Sequence, residues 1–112
     1  MSPDDAHLLD CWNAASRAID FLGSADRESF RQDARTQSAV LHQLILLGEA
    51  VKRLSSELRQ RNPDIPWKAI AGMRDKLVHE YDDVDLELVW STLKKDLPDF
   101  RSRLSSILPR VP

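Results

Sequence analysis

From Val40 to Leu58, apolar side chains recur in alternating steps of four and three: Val40, Leu44, Leu47, Val51, Leu54 and Leu58. On a helix these fall along one stripe, a seam of the coiled-coil kind, and Leu41, Ile45 and Gly48 widen it. A face this broad exceeds what one neighbouring helix covers. The segment is therefore expected to be the central helix of a bundle, with flanks against other helices or a second subunit. It is read as one helix from about Ala34 to Asn62, because the residue before Pro63 is pushed out of the α region.

The flanking segments supply partners for that face. Ser2-Pro3-Asp4-Asp5 combines an N-cap, a proline in the first turn and early acids, and Leu8, Leu9, Trp12, Ala15, Ile19 and Leu22 form a stripe ending at Gly23. Residues 24–32 read as a connector with one helical turn around Glu28 to Arg31, anchored by Phe30. Pro66 and Trp67 open a third helix that fades near Tyr81, its buried face read as Ile70, Met73, Leu77, Val78 and Tyr81. Asp82-Asp83-Val84-Asp85 is a turn and an N-cap, followed by Leu86, Val89, Trp90 and Leu93. Pro98 bends or restarts this last helix; Leu97, Phe100, Leu104 and Ile107 continue its packing until Pro109. No alternation of period two argues for a strand. The expected fold is an all-α, up-and-down bundle of four to five helices.

One domain spanning 1–112 is expected, with a core modest enough to gain from dimerisation. A charged share of 30% and a hydrophobic share of 42% are those of a soluble globular chain. The longest uncharged run, Thr36 to Gly48, falls short of the roughly 20 apolar residues a bilayer requires, and the first 20 residues carry too many charges for a signal peptide. A cytoplasmic protein with no membrane partner is expected. Cys11 is the one cysteine, so it is read as a small buried hydrophobe. His7 and His42 lie on different helices, and the acids from Asp82 to Glu87 are accounted for by capping and solvation. No metal or cofactor is expected. The net charge of −2 gives no overall pull toward nucleic acid, but residues 34–62 hold 5 basic and 2 acidic side chains. Positive ground for an anionic substrate would have to lie there and around the third helix.

That third helix carries the only concentrated chemistry, Gly72-Met73-Arg74-Asp75-Lys76-Leu77-Val78-His79-Glu80-Tyr81. Arg74, His79 and Tyr81 are spaced as R-x4-H-x-Y, and in this arrangement the chain resembles the HepT-like toxins of the HEPN superfamily. Arg35-Thr36-Gln37, Gly48-Glu49-Ala50, Ile65-Pro66-Trp67 and Val84-Asp85-Leu86 with Trp90 extend the likeness over roughly residues 4 to 108. The resemblance implies a homodimeric, metal-independent ribonuclease with Arg74 and His79 catalytic. It also implies that Tyr81 is the residue modified with AMP by a partner antitoxin, an MntA-type nucleotidyltransferase. Asp75 and Glu80 depart from the family pattern and place carboxylates beside the proposed phosphate site.

On a continuous helix Arg74 and His79 diverge by about 140° and lie about 7.5 Å apart along the axis. A site using both from one chain needs a break near His79 or side chains that bend toward one another. The preferred alternative is two copies of the helix meeting across a two-fold axis. Two histidines then share the acid and base roles while the planar guanidinium of Arg74 holds phosphate oxygens. Asp75 is expected to orient a neighbouring cation. Glu49, a carboxylate in an apolar stretch, requires a partner, with Arg74 or Arg35 the candidates. Set against this reading is a non-catalytic helical module that partners a nucleotidyltransferase.

Overall fold

A computed structural model describes residues 2–80 and 82–109. Among them there are helices and no strands, as the sequence predicts. α1 (Pro3–Leu22) and α3 (Ala34–Arg53) are the longest rods; α2 (Arg27–Gln32) and α4 (Ser56–Arg61) are short; α5 (Trp67–His79) carries the motif. α6 (Leu86–Ser91), a π-helical turn (Thr92–Asp96) and α7 (Leu97–Ser105) follow one another without a break.

α3 is packed on both sides, against α1 and α5, which is what its wide apolar face requires. Val40, Leu44, Leu47, Val51, Leu54 and Leu58 are all buried, together with Leu8, Cys11, Ala15 and Leu22 of α1. The α7 side closes the core with Leu97, Phe100 and Leu104, and Phe100 meets Trp67 edge to face at 5.9 Å. Phe30 anchors α2, fully buried against Trp90.

The single helix expected from Ala34 to Asn62 is interrupted. Leu54 turns to extended backbone (ψ 144°), and Ser55 starts α4 by accepting the Leu58 amide. Asp4, on the first turn of α1, accepts hydrogen bonds from the Ser55 amide and hydroxyl at 2.9 and 2.6 Å. The start of α1 therefore fastens the end of α3, and the two rods run antiparallel. The apolar spacing passed over the break because Leu54 and Leu58 are buried on either side of it.

The connector before α3 is more ordered than one loose turn. Asp26 and Ser29 cap each other's backbone amides around α2, and Asp33 caps α3. At the other end, Pro98 has no N–H to offer the Lys94 carbonyl. The π turn accommodates this: the Leu97 amide reaches five residues back to the Thr92 carbonyl, and the helix continues. Val78 is a correction in the core: it was placed on the buried face of α5 but is 42% exposed. Ile70 and Leu77 hold that face, while Val78 lies one step of about 100° away from Leu77.

Candidate functional site

α5 begins at Trp67, whose indole donates to the Asn62 carbonyl at 3.0 Å, and ends at His79 with the Glu80 amide bonded to the Lys76 carbonyl. α5 is unbroken over this length, and Arg74 and His79 border different concavities. Arg74 faces α3. His79 is exposed at the helix end.

Arg74 is seated by a close helix crossing. A Cβ built on Gly48 would lie 2.1 Å from the Arg74 Cβ, so only glycine admits the α5 backbone here. The guanidinium is then held from two sides: Nη1 donates to Asp75 Oδ1 at 3.1 Å and Nη2 to Glu49 Oε1 at 3.4 Å. Arg74, and not Arg35, is thus the partner of Glu49. Asp75 also takes the ammonium of Lys52. The hydrogen bonds it donates to Asp75 and then Glu49 raise the Arg74 pKa above its ordinary value, so it stays a cation. Those from Lys52 and Arg74 hold the Asp75 carboxyl below the usual carboxylate range. Arg74 Nε is buried without an acceptor among the described residues, and the side chain is 27% exposed. Glu49, Lys52, Arg53 and Arg74 together line an open concavity of about 330 Å³.

The surroundings of His79 have the opposite sign. It borders a concavity of about 510 Å³ with Glu80, Asp82, Asp83 and Asp85, against the single cation Lys76. Asp85 is accounted for structurally, since it caps α6 by accepting the Glu87 and Leu88 amides. Among the described residues no three His, Cys, Asp or Glu side chains are placed to hold a metal ion. Tyr81 lies outside the described residues.

Cys11 is fully buried, and desolvation pushes its thiol up to about 12. No helix among the described residues is long and apolar enough to cross a membrane. Sequence reasoning missed Lys52 and the reason for Gly48. The signal for Gly48 was present: a glycine inside an otherwise apolar helix costs about 1 kcal/mol against alanine, which asks for a packing explanation.

The fold and site so far define a protein, all-α among the described residues, that keeps a paired arginine and an exposed histidine on one unbroken helix. The ribonuclease HepT-like family model matches residues 13–107. The chain is 39% identical over 101 residues to a protein of Thermococcus cleftensis named "Probable ribonuclease HepT", covering 90% of this chain and 92% of that one. It is 37% identical over 103 residues to a provisionally named RNase of Methanocaldococcus jannaschii, covering 92% and 89% of the two. A provisionally named RNase of Caldanaerobacter subterraneus subsp. tengcongensis is 41% identical over 83 residues, covering 74% of each chain. No solved structure matches the chain. The chain belongs to the HepT-like ribonuclease family.

Proposed function

We propose that this chain is a metal-independent endoribonuclease, the toxin of a toxin–antitoxin pair acting in the cytoplasm, with its cleft formed between two copies. The observation that supports the two-copy reading is that α5 runs unbroken and Arg74 and His79 border separate concavities of one chain; a second copy would supply the missing group. Arg74 suits the phosphate, since Asp75 and Glu49 fix its fork and keep it charged.

The reaction that fits these groups is attack by the 2′-hydroxyl on the adjacent phosphorus. One histidine takes the hydroxyl proton as the 2′-oxygen–phosphorus bond forms. The bond to the 5′-oxygen breaks, and a second histidine protonates that oxygen, leaving a 2′,3′-cyclic phosphate and a 5′-hydroxyl. Arg74 stabilises the charge that gathers on the phosphorane. Asp75 and Glu49 position Arg74. Tyr81 is the site at which an MntA-type nucleotidyltransferase antitoxin adds AMP. A bulky anion two residues from His79 would obstruct the cleft and repel RNA.

The test is cleavage of RNA by purified protein in EDTA, beside His79→Ala and Arg74→Ala. Both variants are expected to lose at least 100-fold in kcat/KM; equal cleavage by parent and His79→Ala refutes the assignment. A second reading, a non-catalytic module that partners the nucleotidyltransferase, is favoured by the acids around His79, which repel phosphate. It prevails if mass spectrometry finds AMP on Tyr81 after co-expression while unmodified protein cuts no RNA.

A further inference from the structure

A cationic concavity lies beside the site, between α4 and the first turns of α5. It has a volume of about 750 Å³, and Lys52, Arg59 and Lys68 are its charged residues, with no carboxylate in its lining. Ile65, Pro66 and Trp67 contribute to an apolar floor. Among the described residues Arg59 and Lys68 form no ion pair, and Arg59 Nε is buried without an acceptor. Asp64, the acid in the adjoining loop, is engaged instead by Arg103 at 3.5 Å. Lys52 lines this groove and also the concavity that holds Arg53 and Arg74. The two depressions therefore adjoin through Lys52; Arg74 and Lys52 are paired with Glu49 and Asp75, and the cations of the groove left without a carboxylate partner among the described residues are Arg59 and Lys68. On the other side of α5 the residues around His79 are acidic.

We propose that the groove between α4 and α5 is a track for single-stranded RNA, in which Arg59 and Lys68 hold backbone phosphates flanking the one at Arg74. This rests on the ribonuclease reading and adds a direction to it: the strand leaves the cleft over α4 and avoids the acidic end of α5. Phosphates are the fitting occupant because Arg59 and Lys68 stand without ion-pair partners among the described residues, on a part-apolar floor with no carboxylate in the lining. Contacts of this kind position the strand without reading its sequence.

The probe is a fluorescein-labelled oligouridine of about twelve nucleotides, within the range that single-strand sites span. Its sugars are 2′-O-methylated to prevent cleavage. Binding by the full chain is followed by anisotropy as salt is varied. Loss of two phosphate contacts in Arg59→Ala/Lys68→Ala should flatten the slope of log K against log salt by about 1.4 and weaken binding roughly 10- to 30-fold near 0.1 M salt. Removing the same charge from α2, in Arg27→Gln/Arg31→Gln, should change binding less than twofold. Lys68→Glu, at an exposed position, gives a second reading that does not depend on the partly buried Arg59. It should weaken binding at least as much as loss of Lys68 alone. Cleavage of a dinucleotide, too short to reach the groove, should keep the parental rate in all of these variants. A parent that binds while the groove variants match it in affinity and slope overturns the track and leaves the ribonuclease reading standing, as does an equal loss in the α2 control. A parent that neither binds nor cuts RNA overturns both.

Discussion

Gly48→Ala is the most exacting test of how Arg74 is placed. The new Cβ would lie 2.1 Å from the Arg74 Cβ and 2.7 Å from its Cγ. Carbon atoms rest at about 3.5–4.0 Å, so α3 and α5 must separate by more than an ångström, or one must slide. The nearest opposing atom, the Arg74 Cβ, is fixed by the backbone and cannot swing aside. Overpacking on this scale sits at the upper end of the usual range, about 3 kcal/mol. Against it stands the gain from replacing glycine in a helix, about 1 kcal/mol. The net expectation is a loss of about 2 kcal/mol, or a fall in Tm of roughly 8 °C for a domain of this size. Because the displaced residue is Arg74, RNA cleavage should fall further than stability alone accounts for.

Gly72 supplies the opposite sign on the same helix as Arg74. A Cβ there meets nothing within 4 Å, so Gly72→Ala should stabilise the chain by about 0.5–1 kcal/mol. Both variants are measured by thermal and urea unfolding at matched protein concentration, since self-association would make Tm concentration dependent. A Gly48→Ala protein as stable as the parent, with cleavage intact, refutes the close crossing as the seat of Arg74.

Other outcomes follow from single contacts. Ser55→Ala removes the cap of α4 and should cost about 1 kcal/mol in urea unfolding. The Ser55 hydroxyl and amide hold the Asp4 carboxyl below its ordinary 3.8. A carboxyl with a depressed folded pKa stabilises above its unfolded value and loses that contribution as pH falls through the folded one. Asp4→Asn should therefore lose less stability than the parent on acidification below about pH 4, read from urea midpoints across pH; an identical acid limb would discount the contact. Cys11, with its thiol pushed up to about 12, should resist a thiol reagent at about pH 8 until urea unfolds the chain. Asp75→Asn removes the carboxylate that holds Arg74 and Lys52 in place, so single-stranded RNA should bind more weakly and cleavage should fall. Tighter binding with a steeper salt slope would mean that Asp75 chiefly offsets the charge of those cations.

The stripe from Val40 to Leu58 disclosed the central helix because burial on two sides leaves an apolar face too wide to mistake. The same stripe concealed the turn at Leu54, since residues either side of a break can share one core. The cue was Ser55 followed by Ser56 and Glu57, an N-cap and first-turn pattern, and Asp4, which completes it, lies 51 residues away in sequence. Spacing and resemblance single out Arg74 and His79, and helix geometry alone sets them on diverging faces of an unbroken α5. That Glu49 meets Arg74 was one of two options, decided only by which helix crosses α3 at Gly48. Lys52 and Arg59 carried no mark in the sequence: they are ordinary helix-surface cations until α4 folds back beside α5. Val78 failed because a spacing of 3, 4, 7 and 8 admits residues at the margin of a face, where neighbouring helices decide burial.

The charges on α5 bear on how two copies would meet. One end of the helix presents His79 and Lys76 among Glu80, Asp82, Asp83 and Asp85, and the middle presents Arg74 beside Lys52 and Arg53, with the carboxylates of Glu49 and Asp75. A two-fold axis that brings His79 of one protomer toward Arg74 of its partner also sets each acidic end against the other copy's cations, twice over. Such pairing would steer association and fix its register, and it would weaken as salt shortens the reach of the charges to about 3 Å at 1 M. Sedimentation of the RNA-free chain should therefore show dimers that loosen between about 0.05 and 0.5 M salt, and Glu80→Gln/Asp82→Asn should loosen them at low salt. The competing contact is apolar: Leu46 and Val78 are exposed at 37% and 42%, on helices that pack together. Burial of those side chains would make association indifferent to salt, or stronger in it. Dimers that tighten as salt rises would thus place the two-fold axis on the apolar side chains and remove the electrostatic reason for pairing His79 with Arg74 across it.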